Sequence, residues 1–474
     1  MTQLNADNCY IFTDTETSGL DINFSQIIQV GSLLTDENLV VEEEQNLSSK
    51  LLPWIIPSPE ALLVHKRSEC LDDSGPSHYE MMIELRNEWL EWSKERNPIF
   101  ITYNGHRFDE ELFRRQFYWC LLPPYITNTG GAKRLDLMYT LQIVANFFPD
   151  SISIPCNDEG EISLKLTDWA ESNNISSVNA HDALADSYLM VSLSRIIAER
   201  AKQAWESSLI GSSKDGNLRL LQKEPFSMLG EVIRKKKFTY PVTFCAQNPK
   251  FQNEVAIVDL YFDPDELNDL SDSELLEQIS TAGTAIRKLR INKSLPLINS
   301  LDIPNIQQKL DIPLEQLERR AYKIRDNVKL QSRIRDLLSL SKQQYPPPKF
   351  VEQSVYSGFS SSEDELWMER FHLTPWKERS ELIDGFEDSR YRELAERLIC
   401  SHSLNDVSKS TKDKYETFIN KRLFDKGPWL NVSEAQEKIK KLLKQENISE
   451  KEENKEILIK LQKKLSLIAN KAHS

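Results

Sequence analysis

Asp14 and Glu16 stand one residue apart at the end of the apolar run Tyr10-Ile11-Phe12-Thr13, just before a turn at Ser18-Gly19. On a strand, side chains two positions apart project from the same face. Both carboxylates are therefore expected to emerge together from the end of a buried strand. Like charges that close repel, and one is driven neutral unless a cation compensates. A hard divalent metal with oxygen ligands answers that need. Alone, such a pair is far more often an exposed strand end with two solvated acids, so the acids further along the chain decide.

The run Tyr103-Asn104-Gly105-His106-Arg107-Phe108-Asp109-Glu110-Glu111 reads as a strand end, a turn and a helix start. Asp109 then lies in the first helical turn and faces the sheet end that carries Asp14 and Glu16. A single acid there also suits the helix macrodipole. In Asn179-Ala180-His181-Asp182-Ala183-Leu184-Ala185-Asp186, Asp186 falls on an amphipathic helix among small residues. His181 sits five residues earlier, at the helix start, where a lone histidine more often caps or packs. A neutral imidazole beside a bound water can take its proton, since its ordinary pKa is near neutrality. Taken together, Asp14, Glu16, Asp109 and Asp186 could bind two metals about 4 Å apart. One ion would activate a water, the other would stabilise the leaving oxygen of a phosphodiester, and His181 would accept the water's proton.

The elements that must position these groups read as α/β over residues 8 to about 200. Strands are expected at Cys9–Asp14, Gln26–Leu34 and Pro98–Tyr103. Helices are expected at Tyr79–Lys94, Phe108–Cys120, Arg134–Phe147, Leu164–Asn173 and Ala180–Arg200, the last with Leu184, Tyr188, Val191, Leu193 and Ile196 on its apolar face. This pattern predicts a mixed sheet covered by helices. Lys202 to Lys214 turns polar and reads as a linker. Two β-rich runs, Phe238–Phe244 and Val255–Leu260, flank the turn Gln247-Asn248-Pro249-Lys250 and mark a small β-rich domain with inserted helices. Tyr345-Pro346-Pro347-Pro348-Lys349 is a stiff break. Beyond it the chain is almost strand-free, and Ser433 to Asn470 carries a helical stripe that predicts an αα-hairpin.

At 474 residues the chain is expected to form two to four domains. Its 39% hydrophobic and 28% charged residues are those of a globular protein. A net charge of −14 argues against coating nucleic acid with the whole surface and leaves room for a local basic groove. The six cysteines are scattered, with no Cys-x-x-Cys, so neither a metal clip nor a disulfide framework is expected. The start, Met1 to Asn8, lacks a signal pattern, and no apolar run approaches the ~18 residues of a membrane span. A reduced cytoplasmic compartment is the expectation.

Order, spacing and local structure resemble the DEDD exonuclease superfamily, in the branch with a histidine five positions before the last aspartate. The three acid-bearing runs are similar to those of bacterial exonuclease I. So are Ala256-Ile257-Val258-Asp259-Leu260 followed by Leu275 and Leu276, Arg290-Ile291-Asn292-Lys293-Ser294-Leu295-Pro296, and Val355-Tyr356-Ser357-Gly358-Phe359. The likeness therefore covers nearly the whole chain. It implies a ribonuclease-H-like exonuclease domain (1–202), a small SH3-like β-barrel domain (203–350) and an all-α C-terminal domain (353–474). It implies removal of 5′-mononucleotides from the 3′ end of single-stranded DNA, in DNA repair and recombination, with two magnesium ions for which manganese substitutes. It also implies binding of the C-terminal tail of single-stranded DNA-binding protein, and the chain is expected to be a monomer. In this likeness Asp14, Glu16, Asp109 and Asp186 hold the metals, His181 is the base, Glu16 also touches the terminal nucleotide, and Lys165 contacts DNA. Lys165 stands where the family has Arg, which keeps the charge and loses the bidentate fork. Thr15 and Ser18 replace family aromatics.

Gripping single strands calls for basic patches beside stacking aromatics. Candidates are Arg234-Lys235-Lys236-Lys237 with Phe238 and Tyr240, then Arg287, Lys288, Arg290 and Lys293, then Arg319, Arg320, Lys323 and Arg325. The last group could instead meet an acidic partner tail. The aromatic-rich stretch from Phe108 to Tyr125 reads mainly as core. Three other functions compete: an RNA-trimming 3′→5′ exoribonuclease using the same acids, a non-catalytic strand-binding module, and an interaction protein acting through the helical end.

Overall fold

The computed structural model describes residues 8–178, 180–340, 346–449 and 451–472. The polar start Met1–Asp7, Asn179 in the third acid-bearing run, Tyr345 in the proline break and Glu450 lie outside the described residues.

The first part of the chain builds β1 (Asn8–Thr17), β2 (Ile27–Thr35), β3 (Val41–Ser48), α1 (Pro59–His65), α2 (His78–Trp92), β4 (Asn97–Thr102), α3 (Asp109–Trp119), β5 (Lys133–Asp136), α4 (Leu137–Phe147), α5 (Leu166–Ser172) and α6 (Ala183–Arg200). The five strands form one sheet in the order β3-β2-β1-β4-β5. β1 pairs antiparallel with β2 and parallel with β4, so the sheet is mixed, as expected. β1 lies at its centre, with Ile11 and Phe12 fully buried. β3 and β5 had no sequence counterpart. β3 is a polar, largely exposed edge strand, Val-Glu-Glu-Glu-Gln-Asn-Leu-Ser, with little apolar alternation to betray it. β5 is four residues running straight into α4, a span expected to be helical from Arg134.

The apolar face expected on α6 is rotated. Tyr188 is exposed and its hydroxyl donates to Glu44 at 2.6 Å. The face laid on the sheet carries small residues instead, Ala183, Ser187 and Ser194, beside Met190, Val191, Leu193 and Ile197. Small residues are needed because the start of α6 nearly touches Gly31 in β2. A Cβ at Gly31 would sit 2.1 Å from the Leu184 nitrogen, and the Ser187 hydroxyl donates to the Gly31 carbonyl at 3.0 Å. Gly31 pairs with Asp14 across the β1–β2 ladder. One close approach thus sets the distance between the helix that carries Asp186 and the strand that carries Asp14.

The expected linker at Lys202–Lys214 is helical: α7 (Lys202–Ile210) is followed by α8 (Lys214–Gln222). Its polarity belongs to the outer face only, since Ala204 and Trp205 are buried and the Trp205 ring packs edge-on to Tyr10 at 5.8 Å. Next come β6 (Ser227–Ile233), β7 (Lys236–Gln247), β8 (Glu254–Asp259), α9 (Pro264–Asp269), α10 (Asp272–Ser280), β9 (Ile286–Arg290), β10 (Leu297–Asn299), α11 (Leu314–Asp326) and α12 (Val328–Leu340). The strands form a second five-stranded sheet in the order β10-β6-β7-β8-β9, antiparallel throughout.

From α13 (Ser362–Leu373) through α14 (Ser389–His402), α15 (Lys409–Phe424), α16 (Val432–Leu442), α17 (Glu446–Ser449) and α18 (Glu452–Ala472), every described element is helical. The expected hairpin is α16 against α18. Its seam of Val432, Ala435, Ile439, Ile457, Leu458, Leu461 and Leu465 closes on Ile56, Leu62, Cys70 and Leu71 around α1. α13 and α14 share a second core with α2 and α3. The buried Glu352 carboxylate, which accepts from Arg422 at 2.6 Å and Arg397 at 2.8 Å, fixes α14 and α15 to the segment before α13. Among the described residues no helix is long and apolar enough to cross a membrane. All six cysteines are free.

Gly31→Ala forces α6 away from β2. Overpacking of this kind costs about 1–3 kcal/mol. Urea unfolding should show that loss, and the displaced Asp186 should lower activity as well.

Candidate active site

β1 delivers Asp14 and Glu16 as its spacing requires: within Thr13-Asp14-Thr15-Glu16-Thr17 these two are half-buried and the three threonines are buried. Thr15 donates its hydroxyl to Asp109 Oδ1 at 2.5 Å, tying strand to helix. Asp109 opens α3 and is 5% exposed. It is placed by the turn before it. Asn104 adopts φ 56°, and its backbone N–H donates to Asp136 Oδ1 at 2.7 Å. Gly105 passes so close to Thr102 that a Cβ would lie 2.4 Å from its hydroxyl oxygen and 3.1 Å from Asp109 Oδ2. Asp136, 1% exposed, also caps α4 by accepting from the Met138 N–H at 3.2 Å. Burial pushes its pKa up to about 7. Asp136 and its role were missed in sequence. An aspartate immediately before the apolar run Leu137-Met138 is the N-cap signal that could have found it.

His181 lies on the exposed loop before α6 in a left-handed conformation, φ 70°. Its backbone N–H donates to Asp186 Oδ2 at 3.2 Å. Glu16, His181 and Asp186 each offer one ligand atom, and these three atoms lie within 4.8 Å of one another. His65, 5% exposed at the end of α1, is a neighbour of His181, and burial pushes its pKa down to about 4. The neutral ring accepts from the Arg67 N–H through Nδ1 at 3.0 Å.

The electrostatics bind these acids into one site. Burial holds the Asp14 carboxyl well above the usual range, and the charges of Asp109, Asp186 and Glu16 push it further. Glu16 is pushed up to about 8 by burial and then by Asp186, with Arg67 the nearby charge that opposes the shift. Asp109 is raised to about 6 by burial, against the bond from Thr15. Asp186 is also raised by burial, and its buried Oδ1 has no hydrogen-bond partner among the described residues. A cluster of oxygen donors that repel one another, with one carboxylate oxygen left bare, fits hard divalent cations. Asp14, Glu16, Asp109 and Asp186 would hold them.

Lys165 is exposed immediately before α5. The hydroxyl of Tyr103, at the end of β4, donates to the neighbouring Leu164 carbonyl at 2.7 Å. The β6–β7 hairpin reaches the same edge: the Ile162 N–H donates to the Lys235 carbonyl at 2.8 Å, and Lys235 pairs with Glu161 at 3.0 Å. Other basic candidates are committed within the protein. Arg287 stacks on Tyr240 at 4.1 Å and pairs with Glu231 at 2.6 Å. Arg320 donates to the Leu260 and Tyr261 carbonyls, Arg325 to Thr243 and the Lys223 carbonyl, and Lys323 pairs with Asp265. Phe113, Phe117, Tyr118 and Trp119 are core.

Among known proteins, the profile of the exonuclease I C-terminal domain matches residues 349–465. Exodeoxyribonuclease I of Haemophilus influenzae is 24% identical over 439 residues, 88% of this chain and 91% of its own. In fold, the chain is similar to Escherichia coli exonuclease I solved with a dA16 oligonucleotide, with TM-score 0.81 and 20% identity over 98% of this chain and 99% of that one. It is also similar to a chain solved as an SSB/exonuclease I complex with an inhibitor, with TM-score 0.78 and 20% identity over 98% of this chain and all of that one.

The folded, metal-free site favours protonated carboxyls. Glu16 binds its proton up to about pH 8 in the fold against an ordinary value of 4.5. That contribution to stability is complete below about pH 4.5 and lost as pH rises to about 8. Melting of the metal-free protein should therefore fall across this window, while magnesium should flatten the fall and raise the midpoint by several degrees at the alkaline end. In its C-terminal domain, its sequence relatives and its fold, the chain is similar to bacterial exonuclease I.

Proposed function

We propose that this protein is a magnesium-dependent 3′→5′ exodeoxyribonuclease that degrades single-stranded DNA to 5′-mononucleotides in DNA repair and recombination. The observation that carries the reading is the meeting of Glu16, His181 and Asp186 within 4.8 Å, beside Asp14, from sequence positions far apart. Relatives named exodeoxyribonuclease I and a similar fold solved with a single-stranded oligonucleotide support the substrate.

Two magnesium ions, or manganese in their place, would supply an activated water and charge stabilisation at the scissile phosphate. His181 takes the proton of the attacking water. Its exposure lets it return that proton to solvent, and neutral His65 beside it adds no competing charge. Glu16 meets the terminal nucleotide as well as metal. Lys165 holds the strand by charge at the edge shared with the β6–β7 hairpin, whose Arg234-Lys235-Lys236-Lys237 run extends the track. The chain divides into an exonuclease domain (1–202), an SH3-like barrel built on the second sheet (203–350) and a helical domain (353–474). It acts as a cytoplasmic monomer and binds the C-terminal tail of single-stranded DNA-binding protein. The similar fold solved as an SSB/exonuclease I complex supports that partner.

Incubation with 3′- and 5′-labelled single strands, with and without magnesium, tests this reading. Mononucleotides should leave from the 3′ end only, and only with metal. Matched RNA strands should be cut more slowly; equal or faster RNA cleavage would favour the exoribonuclease. His181→Ala should lower kcat about 10²–10⁴-fold, and Asp186→Asn should abolish most hydrolysis. Both variants should keep the wild-type circular dichroism.

A further inference from the structure

Arg67 lies in none of the three acid-bearing runs, yet it bonds the residue next to His181 and its charge acts on Glu16. It follows α1 directly, after Lys66 at φ 59°. Its guanidinium forks between two acids, one nitrogen bonding Asp182 Oδ2 and another Glu69 Oε1 at 2.9 Å. Asp182 is the residue after His181. Its Oδ1 caps α6 by accepting from the Ala185 N–H at 3.1 Å, and its Oδ2 also accepts from Gln29 Nε2 at 3.0 Å. Gln29 in turn accepts from the Ala183 N–H at 3.1 Å and stands opposite Glu16 in the β1–β2 ladder. The aspartate beside the catalytic loop is therefore gripped from three sides: the helix it caps, the strand next to Glu16, and Arg67.

That grip has something to hold. His181 keeps a left-handed backbone that a non-glycine residue adopts only at a cost, and such a conformation persists where its surroundings over-determine it. The same backbone carries the N–H that orients Asp186 Oδ2. If Asp182 moves, His181 and Asp186 move with it. Arg67 is itself anchored through its neighbour. Lys66 bonds the Asn454 side chain and lies 3.9 Å from Glu453, both at the start of α18. A two-residue basic strap thus joins the C-terminal helix to the loop that bears the base. With the Arg67 side chain 20% exposed, its bonds to Asp182 and Glu69 are partly shielded from water.

We propose that Arg67 is a positioning residue of the nuclease reaction, holding the His181 loop in register with Asp186 through Asp182. The proposal rests on the function assigned above. A guanidinium suits the role because its rigid fork spans two carboxylates from separate nitrogens, and an ammonium on a flexible stem spans them poorly.

The test compares full-length wild type, Arg67→Ala and Arg67→Lys. With magnesium and a 3′-labelled single strand, Arg67→Ala should lower kcat about tenfold or more while KM stays within about twofold, since a misplaced base slows chemistry without weakening strand binding. Arg67→Lys should fall between Arg67→Ala and wild type. In the metal-free protein, amides of residues 180–186 should exchange hydrogen about tenfold faster in Arg67→Ala, with the sheet unchanged. If Arg67→Ala does not fold, Arg67→Lys carries the same comparison. A kcat within about twofold of wild type would overturn the proposal. So would a raised KM with kcat and exchange unchanged, which would make Arg67 a strand contact. Wild type that cleaves no strand would remove the assigned function, and the exchange comparison, which needs no substrate, would still judge the loop's anchor.

Discussion

Four carboxylates converge in one partly buried cluster, and their mutual repulsion is the constraint to which the surrounding structure answers. Burial alone raises the proton affinity of each, and proximity raises that of Asp14 and Glu16 further. Left to itself the cluster would spread apart or take up protons. The fold prevents the first by placing each acid on a rigid element. Asp14 and Glu16 are on the central strand, Asp109 is at a helix start, and Asp186 is one turn into a helix pressed against the neighbouring strand. The second is the state that a divalent cation would replace.

The means of placement differ in kind. Asp109 is held by a side-chain bond from Thr15 and by a turn built on Asn104, Gly105 and Asp136. Asp186 is held by an absence: only a glycine at position 31 lets α6 come close enough. The His181 loop is held by hydrogen bonds to Asp182 from three directions. The helical C-terminal part reaches the same region twice, through the hydrophobic seam of α16 and α18 on α1 and through Lys66. Elements with no acid of their own therefore contribute to the site's rigidity.

Much of this was legible in the residues. The i, i+2 spacing of Asp14 and Glu16 carries their direction because a strand admits only two faces. The helix starts at Asp109 and near Asp186 followed from periodicity and turn residues. What escaped notice did so for physical reasons. β3 is an exposed edge strand rich in glutamate, so no alternating apolar pattern marks it. The helices at Lys202–Gln222 were hidden because their buried face is narrow and their polar face dominates composition. The orientation of α6 does not follow its large apolar side chains, because a close helix–sheet contact demands small ones. Gln29 and Arg67 act through tertiary hydrogen bonds between segments far apart in sequence, and no local spacing encodes such pairings; Asp136 carried a local cap signal, but its bond to Asn104 is equally long-range. The repeated basic clusters show the converse: their charges were plain in sequence, but the fold turns several of them inward to partners of its own.

The central claim is that these acids form a site for a pair of divalent ions. Calorimetric titration of manganese into the metal-free protein, wild type against Asp14→Asn, reads it directly. The account predicts two ions per wild-type chain and the loss of at least one in Asp14→Asn, with the variant's fold intact. Wild type that takes up no ion, or a variant that binds as wild type does, would contradict it.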